Sequence, residues 1–297
     1  MLLPFRDAGS ALAAAVASIL WQRAEDFVLL LIDDGSLDGA VKRLEPRDDR
    51  RVVVLADGAR RGLPARLNQG VDWAAERGIP LIARMDADDV AHPDRLERQL
   101  ALLEADATLD LVGTGSIVTQ HRRRIVGCRR PPPQHPEICR TPYRRFPLAH
   151  PTWLGRTSWF RRHRYDEHAL RSQDYQLLRS AWRASRFANV PDLLLAYDEG
   201  ERNLGKALRS RVACATHLWR LGVPRGELRS AVAGSAGLIA GALADVAVGI
   251  TGRPDLAGLR LERVLPEERR AWSALLATLP EERLGERSPT PGLATVP

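Results

Sequence analysis

The sequence predicts an α/β fold, a mostly parallel sheet flanked by helices with a helical appendage at its C-terminus. Three observations carry this. Apolar runs alternate with helix-period patterns from Leu2 to Leu103, the rhythm of strand–helix–strand units. Two of those runs stand out, Phe27 to Ile32 and Ile79 to Met85, the first uninterrupted, as expected of a strand buried on both faces of a parallel sheet. Both end directly in carboxylates, Asp33-Asp34 and Asp86-Ala87-Asp88-Asp89, and ligands of open α/β sheets collect beyond the carboxyl ends of strands.

The elements follow in order. Leu2 to Phe5 is a short strand, Arg6 to Gly9 a turn, and Ser10 a candidate cap for a helix over Ala11 to Trp21, with Leu12, Val16, Ile19 and Leu20 on one face. Gly35 allows a tight exit after the second strand. Val52 to Leu55 is a third strand, Pro64 to Glu76 a helix, and Ile79 to Met85 the central strand. Pro93 then opens a helix through Leu96, Leu100 and Leu103, and Leu109 to Thr119 has a further strand pattern. No GxGxxG follows the first strand and no GxxxxGK[ST] loop occurs, so dinucleotide and P-loop fingerprints are absent.

At 297 residues and 44% apolar, the chain can hold an α/β domain of roughly 200 residues and an appendage. Its net charge of +7 is regional: His121 to Arg186 carries 16 Arg against 4 acids. Such a block suits a phosphorylated substrate or an anionic membrane surface, or is simply a solvated face. Nothing in it matches an RNA- or DNA-reading motif, so no nucleic-acid partner is expected. The cysteines, at 128, 139 and 214, show neither a disulfide framework nor CxxC spacing, and no signal peptide precedes the first strand. A cytoplasmic protein is expected.

The acidic loop Asp86 to Asp89 admits two readings. Asp86 and Asp88, two apart, can converge on one hard cation that bridges to a substrate's phosphates. Alternatively the acids, Asp89 and Asp94 among them, serve the start of the following helix.

The segments LLPFRDAG, FVLLLIDDGSLDG, GLPARLNQGV and ARMDADDVAHPDRLERQL, in this order, resemble the donor half of glycosyltransferase family 2, which has the Rossmann-like, nucleotide-binding GT-A fold. The similarity covers roughly residues 1 to 200. It implies a nucleotide-diphosphate sugar donor, with a UDP-sugar the first expectation, a divalent metal (Mn2+ or Mg2+), and inversion at the anomeric carbon. Carried over by position, Pro4 lines the nucleotide pocket, and Asp34 accepts a hydrogen bond from the base. Asp86 lies near ribose and metal, and Asp88 is the direct metal ligand. Arg6 stands where relatives often carry Tyr, and its guanidinium can stack on a base.

Residues 1–120 are expected to form the donor half and 121–200 the acceptor half, with His121 to Pro133 as a basic connection between them. Ser172 precedes a helical pattern through Tyr175, Leu178 and Trp182, placing Asp174 in a first turn where the dipole favours an anion. Stabilising that helix is one role open to Asp174. The resemblance implies another, the catalytic general base, which takes the acceptor hydroxyl's proton opposite the departing nucleotide. Gln173 replaces the Glu that relatives carry there. His150, Trp153 and Trp159 read as structural.

Residues 201–284 read as a helical region and 285–297 as a disordered tail. Ala231 to Ile250 is long enough to span a bilayer, but its Ala/Gly content and Asp245 favour a hairpin packed on the catalytic domain, with peripheral membrane contact through Arg-flanked helices left open. The expected function is transfer of a sugar to a hydroxyl of a saccharide or lipid-linked acceptor, in cell-surface polysaccharide or glycoconjugate synthesis, with the protein cytoplasmic or peripheral at the inner face of the membrane. A non-catalytic sugar-nucleotide or glycan-binding protein and a sugar nucleotidyltransferase are the alternatives. The latter would normally have a Gly-rich basic loop after the first strand, which Leu3 to Ser10 does not supply.

Overall fold

The structure, a computed structural model, describes residues 1–39, 49–121, 124–169, 171–200, 204–251 and 261–280. The expected tail lies outside them. The donor half follows the sequence closely. Strands β1 (Leu2–Phe5), β2 (Leu29–Asp33) and β3 (Val52–Leu55) form a parallel sheet with β2 central. Helix α1 (Ala11–Leu20) supplies the crossover from β1 to β2, and α2 (Leu63–Glu76) the connection from β3 to the next strand. Strand β4 (Leu81–Ala83) continues this sheet on the other side of β1 through a parallel bridge between Leu2 and Arg84.

Beyond β4 the pairing changes. Strands β5 (Val90–Ala91), β6 (Leu111–Gln120), β7 (Arg124–Arg129), β8 (Leu154–Arg156) and β9 (Phe187–Asp198) complete a six-stranded sheet with β4. Only the β6–β9 pair in it is parallel; β4–β8, β6–β8, β5–β9 and β6–β7 are antiparallel. The expected mostly parallel sheet therefore describes the donor half alone. Strands β7 and β8 both run against β6, and the connection between them holds the single-turn helix α4 (His135–Ile138) and a 3-10 turn over His150–Thr152. Part of the expected basic connection is β7 itself, hairpinned on β6 with Ile125 and Cys128 buried.

Helix α3 (Arg95–Ala105) leads into β6, α5 (Thr157–Arg162) follows β8, and α6 (Gln173–Ala181) precedes β9. Trp153 and Trp159 are fully buried in the main core, their indole N–H groups donating to Leu148 O at 3.1 Å and Ser185 Oγ at 2.8 Å. Both are core residues, as the sequence suggests.

Helices α7 (Leu204–Gly222) and α8 (Leu228–Thr251) form a hairpin against the acceptor half. Ala231, Gly234 and Leu238 face inward, and a Cβ on Gly234 would lie 2.7 Å from Leu218 and 2.8 Å from the Tyr143 carbonyl. Helix α9 (Pro266–Thr278) does not belong to that appendage. Its Trp272 and Leu276 enter the core formed by Ile117, Ile125 and Leu193, and the Trp272 indole donates to Leu193 O at 3.2 Å.

Candidate active site

The carboxyl ends of β1 and β2 lie side by side, and the loops leaving them are stitched together. The Asp7 N–H donates to Ser36 Oγ at 3.0 Å, and the Leu37 N–H to Asp7 Oδ1 at 2.8 Å. Asp7 holds a left-handed conformation, φ 48°, that a non-glycine residue adopts only at a cost, so these contacts fix the loop. Asp33 Oδ1 accepts from Ser36 N–H and Oγ. Asp34 Oδ1 accepts from the N–H groups of Arg61 at 2.7 Å and Gly62 at 2.9 Å and from Arg66 Nε at 3.2 Å, so this carboxylate anchors the loop entering α2. The fully buried Arg66 also grips Asp57, whose carboxyl is held well below its usual range chiefly by that guanidinium. Between these loops opens a cavity of about 480 Å³ whose walls include Pro4, Arg6, Asp34, Arg66, Asp86 and Asp88. All five donor and metal residues expected from sequence meet there.

Past β4, the side chains of Asp86, Asp88 and Asp89 offer carboxylate oxygens that all lie within 4.8 Å of one another. Asp89 was expected at most as a helix-start acid. Instead it is buried, its Oδ1 accepts from the Asp198 N–H on β9 at 3.3 Å, and its Oδ2 has no partner among the described residues. The helix-start reading fares poorly too, since Asp94 occupies the N-cap position of α3 without a side-chain cap bond and pairs with Arg23 at 3.1 Å. Burial, with the charges of half-buried Asp86 and exposed Asp88, pushes the Asp89 carboxyl well above its usual range. Three converging hard-oxygen donors with an orphaned buried oxygen and too little positive charge fit a divalent cation. Arg84, itself buried, donates from Nη2 to Asp86 Oδ1, while its Nε and Nη1 have no partner among the described residues, and a second buried guanidinium, Arg95, lies in the field of Asp89.

A second cavity of about 430 Å³ shares Leu63 and Asp86 with the first. Its walls include Arg84, Asp86, Arg129, His150, Asp174 and Tyr197. Asp174 stands in the first turn of α6, after Ser172, a residue held left-handed at φ 56°. Burial pushes its carboxyl above the usual range, opposed by the Tyr175 N–H and by Arg84. A carboxylate made more basic in a cleft is what proton abstraction calls for. His150 Nε2 lies 2.8 Å from the Tyr165 hydroxyl, and burial holds its imidazole neutral. Arg129 sits 5.3 Å above the Tyr197 ring and 3.3 Å from Glu199. Sequence reasoning assigned no role to Arg84, Arg129 or Tyr197, which reach the cleft from a strand end and from the antiparallel half.

The sequence profile of Glycosyl transferase family 2 matches residues 1–164, more than half of the chain and the whole donor side of this cleft. The chain belongs to glycosyltransferase family 2. An uncharacterized glycosyltransferase of Haemophilus influenzae is 26% identical over 195 residues, which cover 62% of this chain and 59% of that protein. The match thus spans about three-fifths of that relative's length. Among solved structures, S. aureus TarS 1-349 in complex with UDP-GlcNAc superposes with a TM-score of 0.57 at 15% identity, covering 92% of this chain and 78% of TarS 1-349. The mannosyltransferase PcManGT of Pyrobaculum calidifontis, in complex with GDP-Man and Mn2+, gives 0.56 at 16% identity, covering 93% and 83%. At such identity these likenesses establish the family 2 GT-A fold, and substrate choice is a separate matter.

Proposed function

We propose that the protein is an inverting, metal-dependent glycosyltransferase. It would move a sugar from a nucleotide-diphosphate sugar, a UDP-sugar in the first instance, to a hydroxyl of a saccharide or lipid-linked acceptor in cell-surface polysaccharide or glycoconjugate synthesis. The single observation that carries this reading is that Asp86 lies in the wall of both cavities, with Asp88 on one side and Asp174 on the other.

In this reading the nucleoside fills the 480 Å³ cavity, against Pro4 and Asp34, with the Arg6 guanidinium, exposed beside Asp7 at 3.5 Å, lying on the base. Asp86, Asp88 and Asp89 would hold Mn2+ or Mg2+, which supplies charge stabilisation of the leaving diphosphate. Arg84 adds fixed positive charge at the junction. The acceptor occupies the 430 Å³ cavity, where Asp174 takes the hydroxyl proton as the oxygen attacks the anomeric carbon from the face opposite the nucleotide. The neutral His150–Tyr165 pair and Arg129 shape the acceptor side. Action at the cytoplasmic face of a membrane is part of this proposal.

The test is a thermal-shift titration with UDP-, GDP-, dTDP- and CMP-sugars, with and without Mn2+, on wild type and Asp88→Ala. One nucleotide class at a hundred times its Kd should stabilise the fold by about 2.7 kcal/mol. Loss of the Mn2+-dependent part in Asp88→Ala supports the reading. No shift with any donor in folded protein contradicts it.

A further inference from the structure

Helix α8, largely apolar, is the longest of the described helices and one of the least covered. Its 24 residues include an 18-residue window of mean hydropathy 1.8 of which only 17% is buried, so by length and composition it could cross a membrane. Val232, Ile239, Leu243 and Ile250 are 51%, 62%, 68% and 80% exposed. Their spacing of seven, four and seven residues places them on one helical stripe. Between Ser230 and Thr251 the single charged residue is Asp245, and it is held by Arg211 on α7 at 2.6 Å, with Gly241 leaving room for that guanidinium to pass. A stripe of this kind, interrupted by Ser235 alone, whose hydroxyl accepts the Trp219 indole N–H at 3.0 Å, is rare on a surface that meets only water.

The charges at the α7–α8 turn that have no ion-pair partner among the described residues are positive. At the α7–α8 turn, Trp219, Val223 and Leu228 are exposed beside Arg225 and Arg229, neither of which has a carboxylate partner among the described residues. The acid of that turn, Glu227, is turned inward and held by Arg179 and Arg183. Apolar stripe, flanking arginines and an indole at the border are the composition of a helix that lies in a lipid interface with its cations among anionic headgroups.

We infer that the α7–α8 hairpin is a docking surface for an anionic bilayer, with α8 lying in the interface plane. Crossing is disfavoured by the opposite face of α8. Leu238 clusters with Tyr143 and Tyr175, Gly234 packs on the Tyr143 carbonyl, and Gly237 lies against Arg144, all parts of a charged globular body that cannot follow the helix into hydrocarbon. Ser210, on α7, lines the cavity that holds Asp174. A bilayer under the hairpin therefore lies beside the cleft, where an acceptor anchored in that bilayer could reach Asp174. This last step rests on the proposed function; the docking itself does not.

The test is co-sedimentation of the full chain with phosphatidylcholine vesicles, with and without phosphatidylglycerol. Wild type should pellet with the anionic vesicles, less with the neutral ones, and less again at high salt. Ile239→Asp/Leu243→Asp, at exposed positions, should weaken pelleting about tenfold or more, and Arg225→Glu/Arg229→Glu should abolish the preference for phosphatidylglycerol. Circular dichroism and donor hydrolysis should stay at wild-type level in both variants, so that loss of docking is read separately from loss of fold or activity. Failure of wild type to bind anionic vesicles overturns the inference, as does undiminished binding by the Asp variant. A dimer in sedimentation equilibrium that the Asp variant abolishes would assign the face to a second copy of the chain and would likewise overturn it.

Discussion

Asp86 and Asp174, contributed by the two halves of the chain, line one cavity of about 430 Å³. Asp86 reaches it from the loop after β4, and Asp174 from the first turn of α6. The separation of roles follows from this placement. Asp86 is paired with Arg84 and flanked by two further carboxylates, whereas half-buried Asp174 has no ion-pair partner among the described residues and its carboxyl lies above the usual range through burial.

Asp174→Asn keeps the shape and removes the base. Turnover should fall about a hundredfold or more, while the donor-induced thermal shift is retained. Steady-state kinetics beside donor titration checks this; unchanged turnover removes Asp174 from the mechanism.

Asp89→Asn should act with opposite signs in the two states of the site. Without metal it removes a carboxyl that burial, and then the Asp86 and Asp88 charges, push well above its usual range, so the melting temperature should hold or rise. With Mn2+ one of three converging oxygens loses its charge, and the metal-induced rise should shrink. Melting curves with and without Mn2+ read both; an undiminished metal response means that Asp89 stands outside the cation site.

Gly35→Val should destabilise the fold and weaken donor binding together. Gly35 has φ 72°, and a Cβ there would meet the Ala59 and Arg60 backbone at 3.2 to 3.3 Å. Strain and crowding of this kind cost about 1–3 kcal/mol, and the displaced backbone leads into the segment that Asp34 anchors. Urea melts and donor titration test both effects.

His217 gives a pH prediction. Burial lowers its imidazole to about 4 from the ordinary 6.5, and its Nε2 is buried without a partner. Between those values the unfolded chain holds a proton that the native state does not, so this residue makes stability fall as pH drops from about 6.5. Asp89 and Asp174, with raised carboxyls, act in the other direction, so the comparison with His217→Asn isolates the effect. The variant should lose less stability than wild type between pH 7 and about 4.5; parallel curves would contradict the assignment.

How far the molecule was legible in its sequence depends on how local each signal is. Strands β1 to β3 and helices α1 and α2 were readable because unbroken apolar runs and a 3.6 period are properties of short windows. Asp34, Asp86, Asp88 and Asp174 were readable because they sit at element ends within recognisable motifs. The antiparallel half was not: β5 and β8 are two and three residues long, and their pairing is set by where the chain returns. Asp89 shows the same limit. In the sequence it is one more acid before Pro93, and only the β9 backbone of Asp198 closing over it turns it into a buried carboxylate facing Asp86 and Asp88. Trp272, on α9, likewise reads as appendage until its indole is found bonded to Leu193.

The most direct test of the central claim uses water as the acceptor. With an α-linked nucleotide sugar of the class identified by thermal shift, and Mn2+, proton NMR records the anomer of the sugar first released. Attack from the Asp174 side, opposite a nucleotide held over Asp88, predicts the β-anomer first, at a rate reduced about a hundredfold or more in Asp174→Asn. The α-anomer first, or equal rates in the two proteins, would contradict inversion with Asp174 as the base.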